Sequence, residues 1–197
     1  MFTVITRTAN RPRFFAKCRR SVLAQTRKAF HLIVTDDPAD HYPEGDFVAL
    51  VERKEGRGHN LYFNEVRRDI PDANPWVIFL DDDDHFTTPD ALACIACAIR
   101  DADDLLLWQV QFPDIVIPGG MIYLPPQPGR ITGIGFCYHK KHWVDWQATS
   151  FGDFKVINEL YNTLHPVWLN SVLTGTQEGP GHGNRNDLGH GLHFATS

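Results

Sequence analysis

Residues 76–89 constrain this chain more than any other stretch. The apolar run Trp76-Val-Ile-Phe-Leu80 passes directly into Asp81-Asp82-Asp83-Asp84, and a helix-like segment opens at Pro89. The apolar run has strand length and predicts a buried strand. Four adjacent carboxylates repel one another, so a fold gains nothing by gathering them there unless something positive joins them. A divalent cation held by oxygen ligands is the simplest candidate. The competing reading is a solvated acidic turn capping the next helix, where Asp is favoured.

The preceding chain alternates in a way that bears on this choice. Phe2 to Thr8 is β-branched and strand-like, and Asn10-Arg11-Pro12 stops it and starts a helix. That helix runs to about Thr26, with Phe14, Phe15, Cys18, Val22 and Leu23 as its apolar stripe and Arg13, Lys17 and Arg20 on another face. A second strand, Phe30 to Thr35, ends in Asp36-Asp37-Pro38, and a third spans Asp46 to Val51. A Gly-rich turn, Glu55 to Gly58, leads into a helical stretch reaching Ile70, and a helix follows the four carboxylates from Pro89 to Arg100. This order predicts an α/β sandwich with a mostly parallel central sheet. Ligands gather at the carboxyl ends of strands in such sheets. Two acidic clusters, Asp36-Asp37 and Asp81 to Asp84, both fall at strand C-termini, which favours the cation over the cap.

The second half is less regular. Leu105 to Phe112 reads as a buried strand, Asp114 to Leu124 as a hairpin about Gly119-Gly120, and Ile131 to Tyr138 as a strand whose glycines mark a close approach. A helix about Phe154 to Leu164 and a strand near Val167 to Leu173 follow. The expected organisation is one domain over 1–197: a regular half (1–100), a less regular half (101–173) and a flexible Gly-rich lid or tail (174–197).

Composition narrows the setting. With 43% hydrophobic and 22% charged residues the chain reads as an ordinary globular protein. No segment approaches a membrane span, and the N-terminus lacks a signal layout, so a cytoplasmic location is expected. The net charge of −5 argues against general nucleic-acid binding. Its distribution is uneven: the first thirty residues hold eight basic side chains and no acid. That block could face phosphates, an anionic acceptor or the inner face of a membrane. Cys94 and Cys97 form a C-x-x-C with no second pair at zinc spacing, and read as small helix-packing residues.

Several motifs, in one order, resemble the family-2 type of inverting GT-A glycosyltransferase. They are the opening Val4 to Pro12, the helix end Ser21-Val-Leu-Ala-Gln-Thr26, the strand Ile33-Val-Thr-Asp-Asp37, Gly58 with Asn64, and Phe79-Leu-Asp-Asp-Asp-Asp84 followed by Pro89 and Leu92. Together they cover about the first hundred residues. Downstream, Gly152-Asp153-Phe154 is similar to the family's catalytic-carboxylate segment, and Gly181-His182-Gly-Asn184 to a late "H-x-x-N" segment with shortened spacing. One departure is Asp37-Pro38 where the family has Asp-Gly or Asp-Asn.

The resemblance implies a Rossmann-like GT-A domain. It would move a sugar from a nucleotide-diphosphate donor, a UDP-sugar by preference, to a hydroxyl acceptor with inversion, using Mn²⁺ or Mg²⁺. It implies Asp84 as metal ligand, Asp82 as a metal or ribose contact and Asp83 between them in the D-x-D, with Asp81 structural. Asp37, with Asp36 as second choice, would read the base. Thr6, Arg7 and Thr8 would line that pocket, Asn64 would be a further nucleotide-sugar contact, Arg57 would reach the diphosphate, and residues 1–100 would form the donor half and 101–173 the acceptor half. Asp153 would be the base, with Glu159 a distant alternative. His182, in competition with His190 and His193, would be a late metal ligand. Among Trp108, Trp143, Trp146 and Trp168 a sugar-stacking platform competes with core packing. The acceptor could be a glycan or lipid-linked, and nucleic acid is not excluded. A silent nucleotide-sugar binder of the same fold is the main rival. A sugar nucleotidylyltransferase would need a Gly-rich loop after the first strand, which Thr6 to Pro12 lacks.

Overall fold

The computed structural model describes residues 1–38, 42, 46–54, 56–120, 124–149 and 151–177, apart from the side chains of 56 and 57. Strand β1 (Phe2–Thr8) lies between β2 (Ala29–Thr35) and β4 (Trp76–Phe79), and β3 (Phe47–Leu50) extends the sheet beyond β2. All three pairings are parallel, with α1 making the crossover from β1 to β2. Beyond β4 the sheet becomes mixed. Strand β8 (Phe136–His139) runs antiparallel to both β4 and β6 (Asp104–Gln111), β6 pairs in parallel with β9 (His165–Thr176), and β5 (Asp84–Phe86) closes the edge antiparallel to β9.

Central strands bury both faces by strict alternation. In β4 and its extension, Val77 and Phe79 join one core while Trp76, Ile78 and Leu80 join the other. The same split places Leu105 and Leu107 of β6 opposite Leu106 and Trp108. Helices α2 (Tyr62–Glu65) and α4 (Gly152–Thr163) cover the first face through Phe63, Val156, Ile157 and Leu160. Helices α1 (Pro12–Leu23) and α3 (Ala91–Ala98) cover the second through Cys18, Val22, Leu92 and Ile95. Three layers, α/β/α, result. Among the described residues no helix is long and apolar enough to cross a membrane.

The motif Ser21 to Thr26 has a positional task. The Phe86 amide donates to Ser21 Oγ at 3.0 Å, and buried Gln25 accepts from the Leu92 amide at 3.0 Å while its Nε2 donates to the Thr88 carbonyl at 2.8 Å. The end of α1 thereby holds the whole segment after the four carboxylates in place.

Four local expectations are corrected. The stretch to Ile70 is not one helix but a 3-10 turn (Gly56–Leu61), the single turn α2 and a second 3-10 turn (Arg67–Asp69). The hairpin turns earlier than Gly119-Gly120: β7 (Val116–Ile117) pairs with β6, and the Phe112 amide donates to the Ile115 carbonyl at 2.8 Å. Residues 131–135 are a turn leading into β8, not its first half. On α3 the buried positions are Ala91, Leu92 and Ile95, which puts Cys94 and Cys97 on the exposed side rather than in packing.

Candidate active site

The acidic run continues the sheet before it turns. The Leu80 amide donates to Ile5 and the Asp82 amide to Arg7, so the chain still follows β1 beyond β4. The Asp84 amide then donates to the Asp81 carbonyl at 2.9 Å, closing a turn that feeds β5. Gln177, at the end of β9, clamps this turn: its amide donates to the Asp83 carbonyl at 2.6 Å and its Nε2 to the Asp82 carbonyl at 2.9 Å.

This turn, rather than the alternation of a strand, parts the four carboxylates. Asp82 points inward, where Thr8 Oγ1 donates to Oδ2 at 2.7 Å and Arg11 Nη1 reaches Oδ1 at 2.8 Å. Asp83 takes the other arm of the Arg11 fork at 2.9 Å. Asp81 Oδ2 accepts from Arg7 Nη2 at 2.6 Å, whereas its Oδ1 is buried with no hydrogen-bond partner among the described residues. Asp81, Asp83 and Asp84 each present an oxygen within 4.8 Å of the others. Asp82, expected as a metal contact beside Asp84, stands outside that trio, its two oxygens held by Thr8 and Arg11.

Electrostatics explain why this arrangement wants a cation. Burial, reinforced by Asp83, Asp81 and Asp82, pushes the Asp84 carboxyl well above the usual carboxylate range. Burial likewise lifts Asp82 to about 8, against the pull of Arg11 and Thr8. Burial would lower the Arg11 guanidinium, but the attraction of Asp82 and Asp83 raises it overall. Two arginines offset part of the charge and leave Asp84 and one oxygen of Asp81 uncompensated. An all-carboxylate donor set suits a hard divalent ion such as Mg²⁺ or Mn²⁺, and the orphaned Asp81 oxygen gives it a ready ligand. The residues therefore fit such an ion.

Asp153 lies in the first turn of α4. Its Oδ1 accepts from the Phe154 amide at 2.8 Å and its Oδ2 from the Gly133 amide at 3.2 Å, so the turn 131–135 serves to orient this carboxylate. Burial raises its pKa, and Asp81 is near enough to add to the shift. A bridge joins the two acids' surroundings. Arg7 Nη1 donates to Asn60 Oδ1 and the His59 carbonyl, each at 3.1 Å, while Asn60 Nδ2 donates to the Thr149 carbonyl at 3.1 Å just before α4.

Other expected residues take varied positions. Thr6 is fully buried, its Oγ1 2.9 Å from His31 Nε2, so it supports the strand from within rather than lining a pocket. Asn64 exchanges both amide ends with the Trp146 backbone, at 2.9 and 2.8 Å, and braces that segment. Asp36 is buried and accepts from the Tyr62 hydroxyl, whereas Asp37 is half-buried at the rim. Trp108 and Trp146 are core residues, and Trp143 and Trp168 are partly buried against the core. Glu159 is exposed on α4. The side chain of Arg57, and His182, His190 and His193, lie outside the described residues.

Three contributors were not anticipated from the sequence. Arg11 carried a signal: a basic residue just ahead of a helix opposes the helix dipole unless acids lie close by. Asn60 and Gln177 carried none, because their roles depend on segments more than eighty residues away.

No family model matches the chain, and no curated protein sequence matches it. Solved structures do. S. aureus TarS (1–349) superposes with a TM-score of 0.71 at 15% identity, covering 89% of this chain and 60% of that one. TarS in complex with UDP-GlcNAc gives 0.69 at 15% identity, covering 91% and 59%. The mannosyltransferase PcManGT from Pyrobaculum calidifontis, in complex with GDP-Man and Mn²⁺, gives 0.61 at 14% identity, covering 90% and 56%. The chain has the GT-A glycosyltransferase fold. It spans about three fifths of the length of these GT-A neighbours. On this fold the acidic turn and Asp37 both stand at the carboxyl ends of parallel strands, where an open α/β sheet receives ligands.

Proposed function

We propose that this chain transfers a sugar from a nucleotide-diphosphate donor, a UDP-sugar by preference, to a hydroxyl acceptor with inversion. One observation carries the reading: three carboxylates converge at the end of β4, one with a buried unpartnered oxygen, on a sheet of GT-A form. The neighbours in complex with UDP-GlcNAc and with GDP-Man and Mn²⁺ support a nucleotide-sugar donor and a divalent cation. Asp81, Asp83 and Asp84 hold that cation. This moves the working register by one from the Asp82–Asp84 pair, because Asp82 is already bound by Thr8 and Arg11. When bound, the cation supplies Lewis-acid stabilisation for the charge that develops on a diphosphate leaving group.

The chain's own residues do the rest. Asp37 accepts from the base, since Asp36 is held by Tyr62. Arg7 fixes Asp81 in a single orientation, a gain in preorganisation. Asp153 takes the acceptor proton. Two backbone amides aim it, and the burial that raises its pKa brings its basicity nearer the working pH.

The test is Asp153→Asn, assayed for UDP-sugar turnover and for UDP binding with Mn²⁺. Loss of a general base lowers turnover by about 10²–10⁴-fold, with UDP affinity unchanged within about threefold. Near-normal turnover in the variant removes Asp153 from the role. Tight UDP binding without turnover by the unmodified chain, whatever the donor, identifies a silent binder instead.

A further inference from the structure

The structure divides the eight basic residues of the first thirty into two groups. Arg7, Arg11 and Arg19 are held by Asp81, by Asp82 and Asp83, and by Asp46 respectively. Arg13, Lys17, Arg20, Arg27 and Lys28 are exposed. On α1 the positions 13, 17 and 20 are related by helical spacing and form one stripe, opposite the buried Phe15, Cys18 and Val22. Leu23 stands on the flank of that stripe at 49% exposure, so the sequence expectation that it packs with the core fails. Arg27 and Lys28 follow directly, with Lys28 Nζ donating to the Leu23 carbonyl at 3.0 Å. No acid occurs in the first thirty residues; Asp90, bound by Thr26, stands at the C-terminal border of this face.

We infer that the outer face of α1 docks on an anionic lipid surface, with Leu23 entering the headgroup layer and Arg13, Lys17, Arg20, Arg27 and Lys28 meeting lipid phosphates. Cations with an apolar side chain set among them suit a surface that offers both negative charge and an apolar layer. A helix lying on a membrane uses both, burying its apolar residue while the cations gain from the negative surface potential. A nucleic-acid backbone draws nothing from the leucine. The uneven charge also orients the molecule, because a chain of net charge −5 turns its basic face to a negative surface and its acidic remainder away. Helix α1 is about 18 Å long, and the segment just before it carries Arg11, bound to Asp82 and Asp83. The inference is independent of any turnover.

Co-sedimentation of the full chain with vesicles tests it. Vesicles of phosphatidylcholine with about 30% phosphatidylglycerol are compared with phosphatidylcholine alone and with a short duplex DNA. The expected result is at least a tenfold preference for the anionic vesicles, weakening as salt rises. Each cation at the surface contributes about fivefold, so Lys17→Glu with Arg20→Glu lowers binding at least ~25-fold without changing the thermal midpoint. Leu23→Ser lowers it about threefold and leaves the salt slope unchanged. Equal partition to both vesicles, no binding to either, or tighter binding to the duplex overturns the inference.

Discussion

Asp82 and Asp83 are adjacent in sequence, yet the fold uses them in opposite ways. Asp82 anchors Arg11 and Thr8 beneath the turn, while Asp83 shares the other arm of Arg11 and still reaches the trio with Asp81 and Asp84. A second polar residue, His31, gives a residue-scale prediction unconnected with the site. Its ring is buried, and desolvation lowers its pKa to about 4 from an unfolded value of 6.5. The folded state therefore holds fewer protons than the unfolded chain between these values. The stability is fully present above the unfolded pKa and is lost as pH falls towards the folded one, amounting to about 2 kcal/mol by roughly pH 5. Asp82 and Asp84, lifted by burial, gain stability as pH falls over the same range, so urea unfolding near pH 7.5 and near pH 5 reads the His31 contribution as the change of about 2 kcal/mol that His31→Gln makes in that difference. An unchanged difference in the variant would assign the acid sensitivity elsewhere. At this scale the sequence exposed the acidic run but not its register. Choosing which carboxylate is taken by an internal partner required knowing that Thr8 and Arg11 lie under Asp82.

Elements far apart in the chain meet at the site through backbone contacts that leave no pattern in sequence. The clearest is the junction of the turn Gly56–Leu61 with α4. Asn60 Nδ2 donates to the Gln147 and Thr149 carbonyls while its Oδ1 accepts from Arg7. A Cβ at Gly152 would fall 2.8 Å from the Gln147 carbonyl oxygen and 2.9 Å from Asn60 Nδ2, so this position needs glycine for close approach. Asn60→Asp replaces a donor by an acceptor facing two carbonyls and should destabilise by about 1–3 kcal/mol. Gly152→Ala should have a similar effect, and the two changes together should cost less than their sum because they disrupt one junction. Strict additivity in urea unfolding would deny the coupling. The long periodic elements, β1, α1, β2, β4 and β6, were legible because burial on one or both faces writes itself into spacing. Short β5 was not: three residues inside an acidic stretch become a strand because β9 offers antiparallel partners from Thr174 to Thr176. The turn 131–135 was misread for a related reason, since Gly133 serves Asp153 and Trp146, and Gly135 is where the ladder to β6 begins, its carbonyl accepting from the Trp108 amide at 3.1 Å.

For the whole molecule, the α/β/α layering and the parallel half of the sheet followed from alternation of apolar runs and amphipathic stretches. The mixed half did not, because antiparallel returns through β8 and β5 depend on long-range pairing. The proposed function requires that carboxylates crowded at the end of a buried strand share a cation with a nucleotide diphosphate. Calorimetric titration of UDP into the full chain, with and without Mn²⁺, examines this most directly. The prediction is that Mn²⁺ raises UDP affinity at least tenfold, or about 1.4 kcal/mol, that Asp83→Asn abolishes the enhancement, and that Asp82→Asn retains most of it. UDP affinity indifferent to Mn²⁺, or an enhancement lost with Asp82 and kept without Asp83, would contradict the account.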